Sequence, residues 1–400
     1  MKRSSNRILT THVGSLIRPP QLLELVRARQ SGDDANQHGY EKCLRDSVAE
    51  VRHAAGSDRY RHRQRCEFGK STSWSLYALK RLSGFELRPF QPGADTFARG
   101  ADRQRFPEFY AELEGRNAGR TWSKVTVQDA VCVGPIQYIG GQELQRDIDN
   151  LKAGLRGVQV EEAFLPVAAP SSAIPDRKNE YCRNDEELVI ALAEALRTEY
   201  RTIDQSGILL QVDDARAAVT YDRMVPPASF DDYYRWLSRH VEVLNHALEG
   251  IPEDRIRYHV CWGSWPGPHT SDVPLKKIVD LILKVRAGAY LIEAANPRHE
   301  HEWQVWKDVK LPEGKLLAPG VVSHGTNVVE HSELVAERIL RFAGVVGREN
   351  VIANTDCGFA QEELNRRVHP SIMWAKLEAM TEGARIASRV LWGSQAAVHS

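Results

Sequence analysis

The sequence predicts an α/β fold, a TIM (β/α)8 barrel with an inserted β-hairpin, as one domain over residues 1–400. Three observations predict it. The chain is long enough to bury one large core, short apolar runs alternate with longer amphipathic stretches, and reactive side chains stand where those runs end. A doubly wound open sheet is the alternative, but no glycine-rich dinucleotide turn follows any early apolar run.

Seven short apolar segments have the composition of strands buried on both faces of a parallel sheet. They span residues 7–13, 158–167, 207–214, 255–261, 289–296, 315–322 and 350–358. Apolar residues that recur with the helical period predict helices at 21–30, 41–54, 185–204, 230–249, 274–286, 331–344 and 371–391. Strands and helices therefore alternate as a β/α barrel requires.

Residues 86–140 do not fit this alternation and are expected to form an insertion. Its first part, 86–120, is mostly polar and is expected to lie outside the barrel. The segment SKVTVQDAVCVGPIQYI at 123–139 alternates apolar and polar residues and contains a glycine-proline pair, which predicts a β-hairpin.

The eighth strand is expected at 56–66, but this segment is atypical. It carries Arg59, Arg61, Arg63 and Arg65, and each unpaired ion buried in a barrel strand costs several kcal/mol, of order. Asp58 and the five residues after it can be encoded as GAT CGA TAT CGT CAC CGA, which reads Ile-Asp-Ile-Val-Thr-Asp when shifted by one base. One hypothesis is therefore a local frame disturbance, and the alternative is a basic surface loop.

The composition excludes several classes of function. Lys and Arg number 53 and Asp and Glu also number 53, so the net charge indicates neither a nucleic-acid partner nor an anionic membrane. No apolar run approaches the roughly 18 residues of a membrane span, and the basic start lacks the apolar core of a secretory signal. Six cysteines in so long a chain do not resemble a disulfide framework, so a cytoplasmic location is expected.

Side chains that can bind a metal or move a proton lie at or just after the predicted strand ends. They are Ser15, Asp213, His259, Cys261, Glu293, His324 and Cys357. Positions i and i+2 of a strand face the same side, so the first histidine and cysteine of this set can share one ion. Imidazole with thiolates favours zinc over magnesium or calcium.

Each member of that set also has a purely structural interpretation. A single His-x-Cys pair is commonly buried core, Glu293 can pair with Arg298, and Cys357 can be a core residue. Cys43, Cys132 and Cys182 stand apart and are expected to be structural, and the histidines of HEHEW at 299–303 are expected in a solvated loop.

An ordered set of motifs resembles one known family. The motifs are TTHVGSLIRP, EFGKS, LQVDD, YHVCW, IEAANP, APGVVSHGTN and NTDCGF, across residues 10–359. They resemble the catalytic barrel of cobalamin-independent methionine synthase and, more closely, its single-barrel relatives. The resemblance implies Zn²⁺ as cofactor, held by His259, Cys261, Glu293 and Cys357. It also implies homocysteine binding at Gly14, Ser15, Glu67 and Asp213, with His324 as the catalytic proton donor, one position early in a gapless match.

The implied activity is zinc-dependent transfer of a methyl or other alkyl group to a thiol, with homocysteine as the expected acceptor and methionine as product. Coordination would deprotonate a thiol whose ordinary pKa is about 8.5. The chain shows no counterpart of the family's additional N-terminal barrel, so a small methylated compound or a corrinoid protein is expected as methyl donor in place of a folate. Two alternatives stay open. One is a lyase that joins an epoxide or another electrophile to a thiol such as coenzyme M, and the other is a catalytically impaired zinc-binding barrel.

Overall fold

Short strands alternate with longer helices along the chain. The computed structural model describes residues 1–30, 37–56, 74–89, 100–117, 128–173, 177–264, 266–360 and 367–393. The strands are β1 Leu9–Thr10, β2 Phe85–Pro89, β3 Gln128–Cys132, β4 Phe164–Ala168, β5 Lys178–Asn179, β6 Leu209–Asp214, β7 Ile256–Val260, β8 Ala289–Ile292, β9 Leu316–Val322 and β10 Ile352–Thr355.

Helices follow most of these strands. They are α1 Pro20–Gln30, α2 Gln37–Gly56, α3 Trp74–Leu79, α4 Ala101–Arg105, α5 Pro107–Asn117, α6 Gly141–Leu155, α7 Asp185–Gln205, α8 Thr220–Met224, α9 Phe230–Ala247, α10 Val279–Ile282, α11 Val305–Asp308, α12 Ser332–Val346 and α13 Pro370–Trp392. Short 3-10 turns occur at Glu253–Arg255, Leu275–Lys277, Glu300–Gln304 and Arg348–Asn350. The described helices include none whose length and apolar content suit a membrane span.

A parallel sheet of seven strands forms the centre of the fold, in the order β1-β10-β9-β8-β7-β6-β4. Apolar residues from β1, at one edge of this order, cluster with residues from β8, β9 and β10: Leu9, Val13, Ala289, Leu291, Leu316, Ala318 and Ile352. Strands this far apart share one cluster because the sheet curls around its inner face. The architecture is TIM-barrel-like, as the sequence predicts.

Each of the seven predicted apolar segments overlaps one strand of this sheet. The expected eighth strand at 56–66 lies, beyond Gly56 at the end of α2, outside the described residues. The predicted helix 274–286 is shorter than expected, a 3-10 turn followed by the single-turn α10.

The predicted hairpin over 123–139, of which residues 123–127 lie outside the described residues, is not confirmed. β3 pairs antiparallel with β2, with Phe85 opposite Cys132 and Pro89 opposite Gln128, and β5 adds to its other edge in parallel. The alternating sequence of β3 indicates a strand correctly, but its partner is about forty residues earlier in the chain. Local patterning carries no information on so distant a pairing.

The period of two along each strand separates an outer face from an inner face. On β7, Ile256, Tyr258 and Val260 belong to the large apolar core packed beneath the helices, while Arg257 and His259 alternate with them. On β7 the inner face therefore carries the polar side chains Arg257 and His259, beside the apolar inner residues of β8 and β9. Capping fixes where helices begin, as at α9, where Ser229 and Asp232 form a capping box.

Candidate metal centre

Three side chains from two strand ends meet at one point. The ligand atoms of His259, Cys261 and Cys357 all lie within 4.8 Å of one another, and all three residues are buried. His259 lies within β7, Cys261 follows that strand directly, and Cys357 lies just beyond β10. The carboxyl ends of parallel strands meet at one rim, so residues ninety-six positions apart converge.

His259 has the tautomer of a metal ligand. Its Nδ1 is 3.3 Å from the Leu291 carbonyl oxygen, and since a carbonyl can only accept, Nδ1 carries the proton. In the neutral ring Nε2 is therefore the atom free to bind a metal, and it is buried without a hydrogen-bond partner among the described residues. Burial acts to lower the pKa of His259, but the proximity of Cys357 raises it. A backbone carbonyl that fixes the imidazole in this way is a common second contact of zinc-binding histidines.

The two thiols contact each other without forming a disulfide, with the sulfurs of Cys261 and Cys357 3.8 Å apart. This contact lowers the pKa of Cys357 well below its ordinary value, an effect that burial opposes and His259 assists. The same contact and burial raise the pKa of Cys261 well above its ordinary value. Of the two thiols, Cys357 therefore loses its proton more readily than Cys261.

Glu293, the expected fourth ligand, lies beside this cluster but is not one of the three grouped residues. Its Oε1 accepts the Trp262 N–H at 2.9 Å and its Oε2 accepts from Asn296 Nδ2 at 2.9 Å. Burial, with Asp356 and Cys357 nearby, raises the pKa of Glu293 to about 8. The structure therefore brings the carboxylate to the site and holds it by two donors.

Asp356 is a site residue that the strand-end reasoning missed, although it directly precedes Cys357. It is fully buried, and its Oδ1 accepts the N–H groups of Ala294 and Ala295 at 2.8 Å each. A β-carbon at Gly320 would lie 2.0 Å from this oxygen, so glycine in β9 gives the carboxylate its space. Burial raises the pKa of Asp356 to about 6.

These groups fit a soft divalent cation. Two sulfurs about 2.3 Å from one tetrahedral zinc lie roughly 3.8 Å apart, which matches the separation of the two thiols. The unpartnered Nε2 of His259 adds a nitrogen donor. Two thiols and two carboxylates are buried together, and in the described part of the chain neither Glu293 nor Asp356 forms an ion pair with Lys or Arg. A bound cation would supply the missing positive charge.

His324 lies two residues beyond β9 and is linked to the centre through Ser264. Its Nε2 is 2.9 Å from the Ser264 hydroxyl, which lies 3.7 Å from the Cys261 sulfur. Nδ1 is buried without a hydrogen-bond partner among the described residues. Burial lowers the pKa of His324 to about 4, so the imidazole is neutral near pH 7.

The expected substrate-binding residues lie around the same rim, as far as they are described. Asp213 is paired in register with His259 on the neighbouring strand. Gly14 has a positive φ of 143°, and the Ser15 carbonyl accepts the Ala360 N–H at 2.8 Å. A β-carbon at Gly358 would lie 2.0 Å from the Ser15 hydroxyl oxygen, so glycine permits this close approach. Glu67 lies outside the described residues.

The expectation of a solvated loop at 299–303 is wrong for its first histidine. His299 is 4% exposed, whereas His301 is exposed. The two ring nitrogens of His299 contact Asp272 Oδ2 at 3.1 Å and Glu302 Oε2 at 2.8 Å. Burial alone would lower the pKa of His299, but these two hydrogen bonds raise it to about 10. The HEHEW motif therefore contains a buried imidazolium.

Comparisons with known proteins agree with this geometry. A family described as the catalytic domain of cobalamin-independent synthase matches residues 177–384, more than half of the chain. The methionine synthase of Thermococcus kodakarensis is 24% identical over 385 residues, which cover 96% of this chain and 94% of that protein. The 2-hydroxypropyl-CoM lyase of Xanthobacter autotrophicus is 24% identical over 230 residues, about half of each protein.

Solved structures share the fold at lower identity. A B12-independent methionine synthase from Shewanella sp. W3-18-1, solved in complex with selenomethionine, superposes with a TM-score of 0.65 at 16% identity, over 96% of this chain and 99% of that one. The match of residues 177–384 includes His259, Cys261, Glu293 and Cys357. The chain therefore belongs to the cobalamin-independent methionine synthase family.

Proposed function

We propose that this protein is a zinc-dependent enzyme that transfers a methyl group to the sulfur of homocysteine and forms methionine. The observation that carries the proposal is the convergence of His259, Cys261 and Cys357 within 4.8 Å, in a chain of this family. Relatives named methionine synthase, matched over nearly the whole chain at 24% identity, support the same reaction.

His259 Nε2 and the sulfurs of Cys261 and Cys357 would hold the zinc ion, with Glu293 as the fourth ligand. When bound, zinc lowers the pKa of a coordinated thiol, so that the acceptor sulfur is deprotonated at neutral pH. Two cysteine sulfurs and a carboxylate give the protein donors enough negative charge to keep that sulfur electron-rich. Asp356 fixes the backbone after Glu293 and so sets the approach of this carboxylate.

The amino acid end of the substrate is assigned to residues beside the metal-ligand candidates, since Asp213 is the register partner of His259 and Ser15 approaches Gly358. Asp213 and Glu67 would bind the ammonium group, and the backbone at Gly14 and Ser15 would receive the rest of the amino acid. The sulfur lone pair forms the new bond to the methyl carbon while the bond from that carbon to the donor breaks. The departing atom keeps the electron pair and takes a proton. His324 is the proposed donor of that proton, which it must first take up, because its imidazole is neutral near pH 7; the Ser264 hydroxyl, 2.9 Å from Nε2, is the contact that could pass the proton to it.

A second candidate function is a lyase that joins an electrophile such as an epoxide to a thiol. The 24% identity to 2-hydroxypropyl-CoM lyase favours it. Asp213 discriminates between the two, because a carboxylate attracts the ammonium group of homocysteine and repels the sulfonate of coenzyme M. A small methylated compound or a corrinoid protein is the proposed methyl donor, and a cytoplasmic location is part of the proposal.

The test combines metal analysis with product detection. Purified protein is analysed for metal and incubated with homocysteine or coenzyme M, together with methylcobalamin, methylated folates or an epoxide. We expect about one zinc per chain and methionine by mass spectrometry. An adduct of coenzyme M without methionine would select the lyase, zinc without either product would select the impaired barrel, and protein without zinc would contradict the metal centre.

A further inference from the structure

A buried amide connects the two parts of the proposed amino acid pocket. Gln211 lies on β6, two residues before Asp213, so both side chains are on the inner face of the sheet. It is fully buried. Its Nε2 donates to the Val13 carbonyl oxygen at 2.6 Å and to Asp213 Oδ1 at 2.7 Å.

These contacts define which way the amide points. Both partners can only accept, so the group that faces them is the NH2 group, and its two hydrogens are both used. Gln211 Oε1 is buried and has no hydrogen-bond partner among the described residues. The Gln211 amide is therefore oriented with its NH2 group toward Val13 and Asp213. In this orientation its oxygen has no hydrogen-bond partner among the described residues.

The two partners of Gln211 belong to parts of the chain whose strands are far apart in the hydrogen-bonded order of the sheet. Val13 follows β1, and four strands separate β1 from β6 in the strand order. The curl of the sheet therefore brings Val13 close to β6, and the amide ties the chain just before Gly14 to the Asp213 carboxylate. Gly14, with φ at 143°, redirects the backbone immediately after this tie.

The chemistry of an amide suits a cationic substrate group. A neutral amide orients a carboxylate without cancelling its charge, whereas Arg or Lys in its place would form an ion pair with it. Arg257 is the register partner of Gln211 on the neighbouring strand. Its guanidinium lies 3.7 Å from the centroid of the Phe164 ring and donates a hydrogen bond to the His12 carbonyl oxygen at 3.4 Å.

We propose that Gln211 is a positioning residue that selects ammonium-bearing thiols, because it holds Asp213 and the Val13–Ser15 backbone in one fixed arrangement. This inference rests on the proposed function, since it assumes that a thiol amino acid enters the site. By this proposal, Gln211 makes the protein bind homocysteine more tightly than the same thiol without an amino group. Gln211 does so without having to contact the substrate sulfur.

The experiment measures thiol binding without any methyl donor. Protein loaded with Co²⁺ in place of zinc is titrated with homocysteine or with 4-mercaptobutanoate, which lacks only the amino group, and the sulfur-to-cobalt absorption gives both dissociation constants. We expect the wild type to bind homocysteine about tenfold or more tightly, since a hydrogen-bonded charged group contributes on this scale. Gln211→Leu and Gln211→Met, which remove the amide donor without adding a charge, are expected to reduce the ratio several-fold.

Gln145→Leu is the matched control. Gln145 is exposed on α6 and also donates its amide to a carboxylate, Asp149, at 2.9 Å, and its loss is expected to leave the ratio unchanged. A wild type that binds both thiols equally, or Gln211 variants that keep the wild-type ratio, would overturn the inference and leave thiol activation intact. Wild-type protein whose cobalt spectrum responds to neither thiol would instead overturn the proposed function.

Discussion

Two buried clusters of ionisable side chains differ in how their charge is balanced. The first lies among the helices, where Arg81 bonds Glu199 Oε1 and Asp147 Oδ2 at 2.8 Å each. Tyr77 completes it, because its hydroxyl donates to Asp147 at 2.8 Å and its ring lies 3.8 Å from the guanidinium. Arg146 adds a second cation, with Nε 3.9 Å from Asp147 Oδ1, so two guanidinium groups balance the two carboxylates.

The second cluster is the candidate metal centre, which has the opposite composition. Cys261, Cys357, Glu293 and Asp356 are all buried. Neither carboxylate forms an ion pair with Lys or Arg in the described part of the chain, and the imidazolium of His299 nearby is hydrogen-bonded to Asp272 and Glu302 instead. A buried charge without a counter-charge is costly. Burial of polar groups therefore does not by itself indicate a function, whereas converging donor atoms without a paired cation of their own indicate a cation site.

Loss of a sulfur ligand is expected to have the largest effect. Cys261→Ser replaces a soft thiolate by a hydroxyl with little affinity for zinc, so metal affinity is expected to fall on the order of 10³-fold or more, beyond the roughly 10–100-fold of outer-shell changes. Competition with a chromophoric chelator measures it. Cys132→Ser is the control, since Cys132 is buried and contacts the Gly134 carbonyl oxygen at 3.6 Å. Equal metal affinity in both variants would contradict the assignment.

Breaking the charge-balanced cluster is expected to affect stability and not metal content. Arg81→Met leaves Glu199 buried without its cation and Asp147 with only the more distant Arg146, which is expected to lower the free energy of unfolding by about 3–5 kcal/mol. Chemical denaturation measures it. Arg88→Met is the control, because Arg88 bonds Glu180 at 2.8 Å but is 41% exposed, and exposed pairs contribute about 0–1 kcal/mol. A loss of zinc from Arg81→Met would remove the distinction between the clusters.

The sequence alone predicts the positions of those site residues whose placement follows from strand periodicity. His259 and Cys261 share a face because they are two positions apart, and Cys357 joins them because parallel strands end at one rim. The fold class follows from the same alternation of strands and helices. These predictions need only the local pattern and the barrel rule.

The other site residues could not be predicted from the sequence, because their roles depend on contacts between distant parts of the chain. Asp356 is next to Cys357 in sequence, and only the folded structure shows that its carboxylate receives the backbone after Glu293. In the sequence, nothing distinguishes Gln211 from other glutamines in strands. Its hydrogen bond to the Val13 carbonyl oxygen is visible only in the folded structure, where the sheet curls. The polar HEHEW motif suggested solvent at His299, because sequence gives no sign of Asp272 as its partner.

A smaller effect is expected when the negative charge near the candidate metal is reduced. Asp356→Asn keeps one carbonyl oxygen for the N–H groups of Ala294 and Ala295 but removes a buried charge, so zinc affinity is expected to fall about 10–100-fold. Asp149→Asn is the control, because this exposed carboxylate also accepts an amide hydrogen. Unchanged affinity in Asp356→Asn would show that its role is confined to the backbone.

The smallest expected effect is a pH dependence that comes from the buried imidazolium beside the centre. The pKa of His299 is raised to about 10 by Asp272 and Glu302 against the effect of burial, while an unfolded histidine titrates near 6.5. Its stabilising contribution is therefore complete below about pH 6.5 and is lost as the pH rises through about 10. Between these values the native protein binds the extra proton, so the free energy of unfolding falls by up to about 1.4 kcal/mol per pH unit. His299→Gln is expected to remove that slope from urea titrations, whereas His301→Gln, at an exposed position of the same motif, is expected to keep it. An identical slope in both variants would show that His299 is neutral, and the negative charge of Asp272 and Glu302 would then need another cation.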